Sequence, residues 1–267
     1  MMAPVGNDRV LVLAYNSGSQ SSIPTLAAAK NIKNQAVPGA LNGGSTVVLS
    51  TSDRTTNQAI TYNGTPAGYT PPATHVYLEL GNVGGLNLVT AATNEYQALP
   101  ASAFESGDYY FFLARAQSIS NSGESVFVDA TSNAGGPISF TFPPAWTYAG
   151  PTPAALPTFD CQYSGFSGKS QMTDSAAISW INQAGSPSKN YTYNSFSIIA
   201  TGNYQNGATS VSFPDLSTLQ GFLVPPASGK SVTWSASIHQ ASFAPLQTTP
   251  PNSSITGVQN IGTYTVP

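Results

Sequence analysis

Two histidines, one cysteine and eleven acidic residues are the whole supply of side chains for acid–base, nucleophilic or metal chemistry in this chain of 267 residues. A serine triad needs a histidine base held by a carboxylate. His75 and His239 are the bases on offer, and both lie in stretches that alternate like strands, on the polar side. No G-x-S-x-G turn accompanies them. The ordinary reading of each is a solvated or cross-strand-paired side chain. Glycoside hydrolysis asks for two carboxylates facing across a cleft. Glu79, Glu95, Glu105, Asp108, Glu124, Asp129 and Asp215 are available, but their spacing pairs none of them. Glu105 and Asp108 bracket the turn before YYFFLAR (109–115), where turn chemistry alone accounts for Asp and Gly.

Metal and cofactor chemistry find no pattern either. The histidines and Cys161 are far apart, without C-x-x-C or H-x-x-x-H spacing, so no zinc site is expected. No D-x-[DN]-x-[DN]-G loop marks calcium. GNVGG (81–85) lacks the lysine and the following helix of a phosphate loop. Cys161 cannot form a disulfide within the chain and reads as a small buried thiol. No cofactor is expected, and the chain is expected not to be an enzyme.

Aromatic side chains are the remaining means of recognition. Tyr191, Tyr193 and Tyr204 flank one hairpin, and Trp146 and Tyr148 stand in a proline-rich stretch. These five are the candidate binding aromatics, able to stack on sugar rings or anchor a protein contact, with core packing as their competing role. Three N-x-S/T sequons, at Asn63, Asn190 and Asn252, fall in polar, turn-like stretches and are candidate glycan acceptors.

The elements that would carry these residues are strands. Val232, Trp234, Ala236 and Ile238 alternate with Ser231, Thr233, Ser235 and Ser237, which gives one apolar and one wet face. YYFFLAR is more apolar on both faces, as in a strand covered from each side. Further strands are expected at 9–15, 46–51, 75–80, 125–129, 138–142, 176–181, 195–201, 209–213 and 262–266, separated by turn residues. The segment SSIPTLAAAKNIKNQA (21–36) is the best helix candidate, with Ser22 as cap and Pro24 in the first turn. A second short helix is expected at 214–222.

A faint repeat runs through the strand pattern. HVYLELGN resembles NSFSIIATGN, SGDYYFFLARAQS resembles SGKSVTWSASIHQAS, and PISFTFP resembles IGTYTVP. Gly81 and Gly202, Ser106 and Ser228, and Pro143 and Pro267 are then 121, 122 and 124 residues apart. This near-constant offset predicts two tandem antiparallel β-sandwich domains. The first spans 1–144 and carries an extra N-terminal strand and the short helix; a Pro-rich linker follows at 145–157, and the second domain spans 158–267.

Seven or so strands per unit, the turn spacing, Trp180 on an early strand and the alternating strand 232–238 resemble immunoglobulin-like and fibronectin type III sandwiches. The resemblance is architectural and implies an all-β fold of this kind, with no functional residue carried over. Proteins of that architecture commonly act as spacers, adhesion modules or fibre subunits.

Composition narrows the partners. Only 7% of residues are charged and the net charge is -3, without a basic cluster, so nucleic acid is not an expected partner. No run of some 18 apolar residues exists to span a membrane as a helix. The neutral, hydroxyl-rich surface suits an extracellular or cell-surface protein, yet the opening MMAPVG is no signal peptide. A leader or lipid anchor removed upstream is therefore expected. The functional expectation is a non-enzymatic structural or adhesive protein, such as a fibre or pilus subunit that uses strand addition and associates with itself or a surface partner. The alternative is a polysaccharide-binding module of a secreted enzyme.

Overall fold

In a computed structural model, residues 9–16, 25–33, 47–81, 85–91, 94–121, 123–167, 172–183, 191–202, 209–219, 224–243 and 252–267 are described. Their elements are fifteen strands and two short 3-10 turns, Thr51–Asp53 and Ala101–Ala103. Among the described residues the fold is all-β, with several sandwich-like sheets and no helical element beyond the two 3-10 turns. The chain divides into two compact units that interleave in sequence. The first comprises 1–61, 73–113 and 131–140, and the second 62–72, 114–130 and 141–267.

In the first unit, β1 (Arg9–Asn16) pairs antiparallel with β2 (Thr25–Lys33). The expected N-terminal helix is thus a strand. Alanine is the strongest helix former, but helix propensity is worth only tenths of a kcal/mol per residue and tertiary partners override it; both edges of β2 have better offers. RVLVLAY supplies a ladder on one side; on the other, Thr55 N–H donates to Ala27 O at 3.0 Å and Thr55 Oγ1 to Leu26 O at 2.8 Å. Leu26, Ala28 and Ala29 are buried as a result. Of the second expected helix, 214–219 is irregular, with a turn, and 220–222 lies outside the described residues. Residues 47–50, expected as strand, are irregular, and Ser50 N–H instead donates to Asp53 Oδ2 at 2.7 Å to close a 3-10 turn.

Two further groups of strands complete this unit. β3 (Thr56–Asn63), β6 (Glu95–Ala98) and β9 (Ile138–Thr141) form a sheet of order β6-β3-β9. β4 (Ala73–Leu80), β5 (Gly85–Ala91) and the first part of β7 (Asp108–Gln117) lie in the order β7-β4-β5. Every second residue of β7 is buried, from Asp108 through Tyr110 and Phe112 to Ala116, whereas Tyr109, Phe111 and Leu113 are half-buried. Tyr96, Tyr110, Phe112 and Phe140 form the core; Tyr96 meets Tyr110 and Phe112 edge-on at 5.5 and 5.1 Å. Burying two tyrosines requires partners for their hydroxyls. Tyr96 OH donates to Gly136 O at 2.8 Å, and Tyr110 OH accepts Leu99 N–H at 2.8 Å.

The second unit is built on a sheet that contains β12 (Tyr191–Thr201), β11 (Met172–Gln183), β14 (Ser231–Ala241), β15 (Ser254–Thr265), β8 (Ser125–Ser132) and the end of β7, in that order. A small sheet of β10 (Thr158–Asp160) and β13 (Ser210–Ser212) contributes Phe159 and Val211 to the core. Phe159 meets Trp234 at 6.2 Å and Phe213 at 5.9 Å, and Phe196 joins Phe213 to Trp180. Trp234 lies between two glycines: a Cβ on Gly150 or Gly262 would come within 2.8 or 2.6 Å of its indole. Gly262 is its direct cross-strand neighbour, and Gly150 has φ +93, so both positions call for glycine.

The proline-rich stretch belongs to this unit. Trp146 Nε1 donates to Gln162 O, Asn260 Nδ2 to Trp146 O, Tyr163 OH to Pro144 O and Tyr264 OH to Ala154 O, at 3.1, 2.8, 2.6 and 2.8 Å. The segments matched in the sequence repeat take different neighbours. β4 adjoins β7 directly, whereas β12 and β14 are separated by β11; β9 lies in the sheet with β3, but β15 pairs with β14.

Candidate functional site

Of the five candidate aromatics, Trp146 and Tyr148 stack on each other at 4.8 Å within the second unit's core. Trp146 is buried, Tyr148 is half-buried, and Tyr148 also meets Trp234 edge-on at 5.5 Å. Tyr193 is exposed on β12 and pairs with Ile181 of β11. Tyr191 stands opposite Gln183 at the end of the same hairpin. Tyr204 and Asn190 lie outside the described residues. Asn63 is exposed at the end of β3, and Asn252 is exposed in a turn with φ 56, a left-handed conformation that asparagine tolerates.

Register assembles the open face of the second unit's sheet. One row across the strands reads Thr201, Thr173, His239, Gly257 and Phe127; the next reads Ile199, Ser175, Ser237, Gln259 and Ser125. Further rows bring Ser197 to Ala177, Ser235 and Ile261, and Ser195 to Ser179, Thr233 and Thr263. Small hydroxyls dominate, and Ser175 and Ser237 share a 2.6 Å hydrogen bond. Against this background Tyr193, Ile199, Ile181 and Ile261 stand exposed. β12 ends the sheet among the described residues, and its sequence YTYNSFSIIAT holds no charge and no proline.

A cleft of about 300 Å³ opens on the same face, lined by Arg115, Phe127, Asp129, Ser237, His239, Ile255 and Gln259. All seven residues belong to the second unit. Arg115 arrives from the end of β7, which turns back into β8 through a hairpin closed by Ser118 N–H donating to Glu124 O at 2.9 Å. Gly257 leaves room beside its neighbours; a Cβ there would run into the Phe127 ring, which therefore covers the glycine. The Arg115 guanidinium carbon lies 5.3 Å from the Phe127 centroid, and His239 meets that ring edge-on at 5.2 Å. A cation over an aromatic face is held by the ring quadrupole.

The electrostatics of the cleft are uneven. Burial pushes the Asp129 carboxyl up to about 6 despite the pull of Arg115, and its Oδ1 is buried without a hydrogen bond. Burial, aided by the Arg115 charge, pushes the His239 imidazole down, which keeps the ring neutral at pH 7. His239 is thus on the polar face, as its alternation implied, and packs across strands on Phe127. Alternation also put Asp129 in a strand, but nothing pointed to Arg115, Phe127, Gly257 or Gln259 as its neighbours. The one available signal was the abrupt arginine that ends the apolar run YYFFLA.

The other chemical candidates are dispersed. His75 is exposed on β4. Cys161 is buried and its thiol is pushed up to about 12 by burial and by Asp174 and Asp160, which suppresses the reactive thiolate. Asp108 caps its own turn, with Glu105 N–H donating to Oδ2 at 2.8 Å and Gly107 at φ +94. Among the described residues no group of three or more His, Cys, Asp or Glu converges, and no helix is long and apolar enough to cross a membrane. No family model matches the chain, nor does any curated protein or solved structure.

Proposed function

We propose that this chain is a non-enzymatic extracellular or cell-surface structural protein of the immunoglobulin-like or fibronectin type III kind, which associates with further copies of itself by strand addition. The observation that carries this reading is β12, an eleven-residue terminal strand of its sheet among the described residues, with neither charge nor proline. Sheet edges in monomeric proteins are ordinarily blunted by such residues. An antiparallel pairing of two β12 strands centred on Phe196 sets exposed Tyr193 opposite exposed Ile199, an aromatic–β-branched pair that favours a sheet. The N-terminal strand RVLVLAY is not available for addition in the same way, because it already pairs with β2 of its own chain.

Sedimentation velocity over a rising concentration series tests the reading. The protein forms larger species as concentration increases, and Ile199→Lys, which places a charge on the edge, holds it as a monomer. A wild-type protein that stays monomeric at every concentration overturns the proposal. A second reading, polysaccharide binding, is supported by the cleft around Phe127, where charged and neutral polar groups converge beside an aromatic ring.

A further inference from the structure

The cleft differs in kind from the face around it. That face carries mostly serine and threonine, whereas the cleft gathers a guanidinium, a carboxylate, an imidazole, an amide and a hydroxyl beside Phe127 and Ile255. Arg115 is exposed and its guanidinium carbon lies over the Phe127 ring, which places a planar, five-donor cation at the rim of the cleft. Asp129 Oδ1 is buried and receives no hydrogen bond, a state that costs free energy until a donor arrives. Ser237 and Gln259 lie next to each other across β14 and β15.

We propose that this cleft binds a carboxylated sugar, a uronate unit of an acidic polysaccharide, with its carboxylate against Arg115 and a ring hydroxyl donating to Asp129. This deepens the polysaccharide-binding reading and is independent of self-association. A hydroxyl both donates and accepts, so a polyol can serve the acceptor Asp129 and the donors of Gln259 and Arg115 side by side. A phosphate or sulfate offers acceptors alone and would be repelled by Asp129. A simple amine would meet Asp129 but be repelled by Arg115. A volume of about 300 Å³ lies at the small end of ligand sites and suits one or two sugar rings.

The test is a titration of the full-length protein, followed by calorimetry, with oligogalacturonate, a neutral glucose oligomer and free glutamate as probes. Oligogalacturonate binds saturably, roughly tenfold tighter than the neutral oligomer, as expected for one charge-assisted contact. Arg115→Gln removes that preference, and because Arg115 is exposed the variant keeps its fold, which its melting temperature verifies. Asp129→Asn weakens both sugars, on the order of threefold to tenfold. Ile199→Lys leaves the affinity unchanged, which separates this inference from self-association. Absence of saturable uronate binding by folded protein, wild-type affinity in Arg115→Gln, or glutamate binding more tightly than the uronate would each overturn it.

Discussion

The two faces of the second unit's sheet come from the same strands, yet they use those strands in opposite ways. On β14, Val232, Trp234, Ala236 and Ile238 are fully or nearly buried, whereas Thr233 and Ser231, next to them in sequence, are exposed. The covered face is particular: Trp234 requires glycine at 150 and 262, and Phe159 meets it and leads through Phe213 to Phe196. The open face is built of small, interchangeable hydroxyls, apart from one cleft and a few exposed apolar side chains. Specific packing on one side and generic polarity on the other place stability in the first face and leave the exceptions on the second as the sites proposed for recognition.

Substitutions on each face should therefore separate stability from binding. The largest effect is expected from Trp234→Ala, which empties the centre of the aromatic core and should cost about 3–5 kcal/mol in a denaturant titration. A loss below about 1 kcal/mol would mean that the core collapses around the gap and is less particular than its glycines imply. Asp129→Asn acts in the other direction. Asp129 in the folded protein holds its proton more tightly than the ordinary carboxyl at 3.8, so its ionisation opposes folding. Its penalty is absent below about pH 4, grows between pH 4 and 6, and is complete above that range. At pH 7 the variant should be more stable by about 1–2 kcal/mol, after allowance for partial exposure, and the gain should vanish near pH 4. Thermal melts at both pH values would reveal it; an equal gain at both would assign the effect to something other than charge. Smallest of all, Ser235→Ala on the open face should stay within about 0.5 kcal/mol of wild type.

Legibility in the sequence followed the same division. Period-two alternation located β4, β7, β8, β12 and β14 to within a few residues, because one covered face imposes that pattern. It missed β2, where TLAAAKNIK has helix-like composition and is held extended by bonds to Val10–Tyr15 and Thr55. It also missed β3, β6 and β10, which are short or polar and owe their form to partners distant in sequence. His239 was legible as a polar-face residue. Its cleft was not, because the register of β15 against both β14 and β8 decides that Gly257 sits between His239 and Phe127. Tyrosines looked alike in sequence; their packing divides them into the covered Tyr96 and Tyr110 and the exposed Tyr193.

Interleaving of the chain has a consequence for any attempt to divide it. β3, β7, β8 and β9 each begin in one unit and end in the other, so no single cut in the sequence releases a complete second unit. A fragment starting at residue 158 would lack β8 and leave Ser254–Gln259 of β15 without the ladder that runs from Ala130 to Ser125. It would also lack Trp146 and Gly150, which close around Trp234 and Tyr163. Such a fragment carries a newly bare, uncharged sheet edge and would aggregate. Gene fusion, domain shuffling or truncation therefore has to carry the segments of both units together as one inheritable piece.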